Sequence, residues 1–184
     1  MLALDASGND LRASGGVALA EVMSELLSLR LLLLGYNGME PRGGLAVASS
    51  LAGLTALEVL DLQANSLGTS MAEVVKQLHG HRALRELRLQ YNEGKEGEGA
   101  TLAAAVAGLV RLEVLDLDGN RLSVEALEAV VAAAEGLTAL QRLDLQRNSG
   151  TGSAESRARL ARLVRPGLEL VLSDGLEDGT PLDG

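Results

Sequence analysis

One arrangement of apolar and polar positions returns along this chain every 27 or 28 residues. Its clearest copies are Leu57-Glu-Val-Leu-Asp-Leu-Gln-Ala-Asn65-Ser-Leu67 and Leu112-Glu-Val-Leu-Asp-Leu-Asp-Gly-Asn120-Arg-Leu122, which reduce to LxxLxLxxNxL. Asn9, Asn37, Asn65, Asn92, Asn120 and Asn148 mark the copies at intervals of 28, 28, 27, 28 and 28. The LxL part alternates with the period of a strand, so two leucines enter the core and the residue between them faces out. The asparagine ends the strand, because a short polar side chain tolerates the turn. Beyond it the spacing becomes helical. Leu19-Ala20, Val47-Ala48 and Leu102-Ala103 fall ten and eleven residues after their asparagine, with Met23, Leu51 and Val106 one helical turn later. The small alanines let each helix lie close to the strands. A strand–helix unit that cannot bury its own apolar face predicts a stack of such units.

The repeat resembles the leucine-rich repeat, and a 28-residue unit with a full helix is similar to the ribonuclease-inhibitor-like class. That class also includes Ran GTPase-activating protein and the sensor domains of nucleotide-binding receptors. The resemblance covers almost the whole chain. It implies an α/β leucine-rich-repeat solenoid, a horseshoe of about six repeats with a parallel concave β-sheet and convex helices. It also implies that each asparagine hydrogen-bonds backbone across the stack, which accounts for a polar residue beside a wall of leucines. For function it implies a binding surface without naming what is bound, since the repeat serves many unrelated partners.

Two units depart from the pattern. In the fourth, Gly94 replaces the usual leucine, and Asn92-Glu-Gly-Lys-Glu-Gly-Glu-Gly99 predicts a looser, polar turn. In the sixth, Ser149-Gly-Thr-Gly-Ser153 and a helix carrying Arg157, Arg159 and Arg162 predict a solvated terminal repeat. Residues 1–172 are expected to form the repeat domain, with Pro166–Leu172 as a last strand, and residues 173–184 an acidic, disordered tail. Leu4 belongs to the first strand, which the sequence leaves uncapped. Upstream residues or a partner are expected to cover that edge.

Composition fits a layered core. The chain of 184 residues has no Phe, no Trp and no Cys, and its only aromatic side chains are Tyr36 and Tyr91. Stacked layers can close-pack from one branched side chain, whereas an irregular core needs aromatics to fill gaps. The net charge of -9 excludes a nucleic-acid backbone or an anionic membrane as the main partner and favours a protein, with a basic surface as one option. No disulfide can form, no Asn-x-Ser/Thr sequon occurs, and the apolar run Leu31–Leu34 is far too short to span a bilayer. An intracellular, cytoplasmic location is expected.

The outward residues of the strands form columns. The position between the core leucines holds Asp5, Leu33, Asp61, Arg88, Asp116 and Asp144; two residues on stand Ser7, Gly35, Gln63, Gln90, Asp118 and Gln146; next come Gly8, Tyr36, Ala64, Tyr91, Gly119 and Arg147. With strands about 4.8 Å apart, Asp61, Arg88 and Asp116 make a ladder of alternating charge. Its bland reading is that Arg88 neutralises the two aspartates. Its functional reading is an acidic patch of Asp116, Asp118 and Asp144 that meets Lys or Arg of a partner, setting association rate and specificity more than affinity. Tyr36 and Tyr91 sit outside the leucine stack, where tyrosine commonly anchors an interface. Leu31 and Leu33 also point outward and join Tyr36 in a small apolar patch. The candidate partner-binding set is therefore Leu31, Leu33, Tyr36, Asp61, Arg88, Tyr91, Asp116, Asp118, Asp144 and Arg147.

No catalytic chemistry is expected. Gly94, Gly97 and Gly99 lack the Gly-Lys-Ser/Thr of a phosphate loop. His79 and His81 have no third metal ligand, and Asp116 with Asp118 has neither a pocket nor a nucleophile. No cofactor and no metal is expected. The reading is a protein-interaction module or a subunit of a larger complex, docking through the concave face, the bare first strand, or both. Alternatives are a regulator of a small GTPase, which the likeness to Ran GTPase-activating protein allows although no specific regulatory motif is present, and a designed, consensus-like solenoid. The irregular fourth and sixth units and the uneven columns argue against the last.

Overall fold

A computed structural model of the protein describes residues 2–94, 97 and 99–172. Each LxL segment forms a strand only three residues long: β1 (Ala3–Asp5), β2 (Leu31–Leu33), β3 (Val59–Asp61), β4 (Glu86–Arg88), β5 (Val114–Asp116), β6 (Arg142–Asp144) and β7 (Glu169–Val171). They pair in chain order, all parallel, in one open sheet. Six helices alternate with them: α1 (Arg12–Met23), α2 (Glu40–Leu51), α3 (Met71–Gln77), α4 (Gly99–Val106), α5 (Val124–Ala134) and α6 (Ala154–Ala161). The result is an α/β leucine-rich-repeat solenoid. The acidic tail expected at 173–184, and Lys95, Glu96 and Glu98 of the fourth turn, lie outside the described residues.

The register places Leu4, Leu32, Leu60, Leu87, Leu115, Leu143 and Leu170 in one row. Leu34, Leu62, Leu89, Leu117 and Leu145 form the next row, and both rows are fully buried except at the ends. Short strands suffice because the asparagines extend the pairing beyond them. Asn65 is the pattern: its Nδ2 donates to the carbonyls of Leu34 (2.8 Å) and Leu62 (3.0 Å), while its Oδ1 accepts from the amides of Asn37 (3.1 Å) and Met39 (3.4 Å). One side chain thus satisfies backbone groups of two repeats that the ladder has released, in a place where water cannot reach them. Asn37, Asn92 and Asn120 repeat the arrangement.

The irregular units have a packing explanation. A Cβ on Gly94 would approach Met71 Cε to 2.5 Å, so the thioether side chain of the third repeat fills the volume that the missing leucine vacates. On the convex side the backbones of α1 and α2 meet at Gly16 and Gly43, where a Cβ on Gly16 would lie 3.0 Å from Gly43 Cα. The column of Leu26, Leu54, Leu109 and Leu137, each eleven residues before an asparagine, holds His81 in the shortened third unit. His81 is buried, not displayed in its turn. Its Nε2 donates to the Leu51 carbonyl at 2.9 Å, its Nδ1 has no partner, and burial pulls its pKa down. In the sixth repeat α6 buries only Leu160, and Arg159 bonds Glu128 of the preceding helix at 2.8 Å.

Candidate functional site

Because side chains alternate along a strand, burying the leucine row fixes what the opposite, concave face displays. Its first column is Ala3, Leu31, Val59, Glu86, Val114, Arg142 and Glu169; its second is Asp5, Leu33, Asp61, Arg88, Asp116, Asp144 and Val171. The two columns divide the face. Over β1–β3 the first is wholly apolar and the second adds Leu33, whereas over β4–β6 charged residues dominate both.

The aspartates of the second column share a local task. Asp5, Asp61, Asp116 and Asp144 each accept a hydrogen bond from the amide two residues on, at 3.0, 2.9, 3.0 and 3.2 Å. That amide has left the three-residue strand, while the amides on either side of it reach the neighbouring strand, as Leu62 N does to Arg88 O and Ala64 N to Gln90 O, both at 2.9 Å. The carboxylate supplies the acceptor that the sheet withholds. On exposed Asp5 this contact with Ser7 holds the carboxyl below its usual range.

What separates the four is their ion pairing. Arg88 lies 3.5 Å from buried Asp61 and bonds Glu86 at 2.8 Å. Asp61 also accepts from Gln63 Nε2 at 2.8 Å, and Gln63 accepts from Gln90 at 3.0 Å. Asp144 pairs with Arg142 at 2.9 Å, and Arg142 also bonds Glu169 at 2.5 Å. Asp118, only 5% exposed, takes the Arg147 guanidinium on both oxygens, Nε to Oδ1 at 2.9 Å and Nη2 to Oδ2. Asp116 has no ion-pair partner among the described residues. Its burial raises its pKa to about 6 against the pull of the Asp118 amide, and the neighbouring charges of Asp144 and Asp118 push the same way.

The two tyrosines differ. Both have left-handed backbone, Tyr36 at φ 58° and Tyr91 at φ 57°, as do Gly8, Ala64, Gly119 and Arg147 of the same column. This conformation turns the chain out of the strand and throws the side chain onto the concave rim. Tyr36 is 59% exposed beside half-buried Leu31 and Leu33. Tyr91 is 43% exposed and held from two sides. Its ring lies against Gly119, where a Cβ would approach to 2.5 Å, and the Arg147 guanidinium, which pairs with the Asp118 carboxylate, sits 5.5 Å from its centroid. Burial and that carboxylate raise the phenol pKa.

The candidate residues therefore fall into three groups. Leu31 and Leu33 face outward on β2, with Tyr36 exposed just beyond it. Asp61 and Arg88 pair at the centre. Tyr91, Asp116, Asp118, Asp144 and Arg147 gather over β4–β6, two repeats, or about 10 Å, from Tyr36. The sequence reading missed Glu86 and Arg142, which hold Arg88 and Asp144 in place. The first column, one position upstream of the buried leucine, carried that signal in its Arg142-Leu-Asp144 spacing. Among the described residues no group of three or more His, Cys, Asp or Glu is arranged to hold a metal ion. Nor, among the described residues, is any helix long and apolar enough to cross a membrane.

Comparison with known proteins agrees with this architecture. Residues 111–130 match the Leucine Rich Repeat family model. Over 96 residues the chain is 36% identical to Tonsoku-like protein of Bos taurus and 35% identical to Tonsoku-like protein of Mus musculus. Each alignment covers 50% of this chain and 7% of the relative, so the similarity concerns a small part of much longer proteins. The repeat motif, the sheet and these matches together support a leucine-rich-repeat protein.

Proposed function

We propose that the chain is a protein-interaction module that docks a partner protein on its concave face, with no chemistry of its own. The observation that carries this reading is Tyr91, a large aromatic group fixed in the open by Gly119 and by Arg147, which pairs with Asp118. An interface anchor that is already ordered loses little side-chain entropy on binding, about 0.5–1.5 kcal/mol less than a free one. The inward rows support the same division of labour: they repeat leucine after leucine, while no two adjacent repeats share the same three outward residues. The module belongs to the ribonuclease-inhibitor-like class of 28-residue repeats on this reading, and the likeness to a small part of Tonsoku-like proteins favours a domain that works within a larger polypeptide or complex.

Site-directed photo-crosslinking tests this. A benzophenone amino acid at Tyr36 or Tyr91 should yield discrete adducts with one dominant protein in native extract, and the same probe at Val22 or Val110 on the convex side should not. Equal labelling from both faces, or none from the concave one, overturns the proposal. A small-GTPase regulator predicts instead faster GTP hydrolysis across a GTPase panel; no residue described above favours it.

A further inference from the structure

The division of the concave face constrains what can lie on it. Leu31 and Leu33 face outward on β2, flanked by Ala3 and Val59 of the neighbouring strands, and Tyr36 stands exposed three residues beyond Leu33. Three strands further on, in the column of Leu33, stands Asp116. Every arginine around it is engaged: Arg88 with Glu86 and Asp61, Arg142 with Asp144 and Glu169, Arg147 with Asp118. Asp116 is left partly buried without an ion pair, its charge opposed by Asp144 and Asp118 and only partly offset by Arg142, which destabilises the free fold. A lysine or arginine brought by a partner relieves that cost, whereas a ligand carboxylate on this spot adds to it.

We infer that the concave face reads an extended peptide segment of a partner protein through two side chains at once, an aliphatic one on Leu31, Leu33 and Tyr36 and a lysine or arginine on Asp116. The spacing follows from the sheet. Three strand steps of about 4.8 Å separate Leu33 from Asp116, and an extended ligand advances about 3.3 Å per residue. Both side chains must point to the same face of an extended ligand, so they stand four residues apart in it. Tyr91 lies beside the path and packs on the aliphatic stem of the basic residue. The inference rests on the concave-face reading and adds the chemistry and spacing of the ligand.

The test uses random dodecapeptides displayed on phage and panned on the full chain at pH 7.4, with enriched peptides synthesised and titrated by fluorescence anisotropy. Enriched sequences should carry an aliphatic residue and a lysine or arginine four positions apart. Asp116→Asn should weaken their binding at least tenfold without lowering the melting temperature, and Leu33→Ser should weaken it while the Asp118–Arg147 pair is kept. Peptides that crosslink to Tyr36 or Tyr91 positions yet lack a cation, or bind Asp116→Asn as well as wild type, overturn this inference and leave the concave-face module standing. Peptides that crosslink only elsewhere, or no enrichment, overturn both.

Discussion

Replacing His81 by leucine should stabilise the protein. The imidazole stands in a column otherwise made of Leu26, Leu54, Leu109 and Leu137, and its Nδ1 is buried without a partner. An orphaned polar group of this kind costs about 1–3 kcal/mol. The substitution gives up the Nε2 bond to Leu51 O, worth about 1 kcal/mol. That carbonyl is not stranded, because the Leu54 amide also donates to it at 2.8 Å. Leucine adds buried apolar surface in a site its neighbours are built to hold. The net expectation at pH 7 is a gain of about 1–2 kcal/mol, a rise in Tm of about 3–6 °C for a domain of this size. The sign of the pH dependence is fixed too. Burial lowers the folded pKa of His81 below its ordinary value of 6.5, so below that pH the unfolded chain binds more protons and wild type loses stability as pH falls. Leucine carries no such loss. The gap between the two proteins should therefore widen from pH 7 to pH 5, by at most about 1.4 kcal/mol per pH unit. Thermal melts followed by far-UV circular dichroism at pH 7, 6 and 5 measure it, and taking the difference between the two proteins cancels every other titrating group. A lower Tm for His81→Leu, or a gap that does not change with pH, refutes the placement of His81 in the core.

Asp116→Asn should raise stability at pH 7 by about 1 kcal/mol, since the amide oxygen still accepts from the Asp118 amide and no desolvated charge remains. The folded pKa of about 6 lies above the unfolded value, so the penalty is present above pH 6 and disappears as the carboxyl protonates; the wild-type and variant melting curves should converge by about pH 4. Asn65→Ala strands the Leu34 and Leu62 carbonyls and the Asn37 and Met39 amides and should cost at least about 3 kcal/mol by chemical denaturation. Asn9→Ala should cost under about 1 kcal/mol, because the Asn9 amide group bonds only the exposed Ser7 carbonyl. Gly119→Ala, at φ 65° and against the Tyr91 ring, should cost about 1–2 kcal/mol. It should also change the tyrosine fluorescence of a Tyr36→Phe background, where Tyr91 is the sole emitter; an unchanged spectrum contradicts the contact.

The fold was legible because it is periodic: six asparagines and paired leucines determine strand position, register and the hidden face, and each strand forms where LxL stands. His81 was not legible, since its column becomes visible only when units of 27 and 28 residues are aligned on the following asparagine. The outward columns could be listed from the sequence, but their electrostatics could not. Asp61, Asp116 and Asp144 look equivalent as letters, and it is the reach of Arg88 toward Glu86 and of Arg142 toward Asp144 and Glu169 that leaves Asp116 without an ion pair. The local task shared by these aspartates, capping the amide two residues on, was hidden for the same reason: it depends on a strand that stops after three residues. Left-handed backbone at Tyr36, Ala64, Tyr91 and Arg147 went unseen because glycine holds that column only at Gly8 and Gly119.

The central claim is that the repeated inward residues hold the fold while the outward ones hold the function. Measuring partner affinity and Tm together for Leu33→Ser, Tyr36→Ala, Tyr91→Ala and Asp116→Asn tests it most directly. Affinity should fall at least tenfold for Tyr91→Ala and Asp116→Asn with Tm unchanged or raised, and loss of affinity that instead follows loss of Tm across the set contradicts the claim.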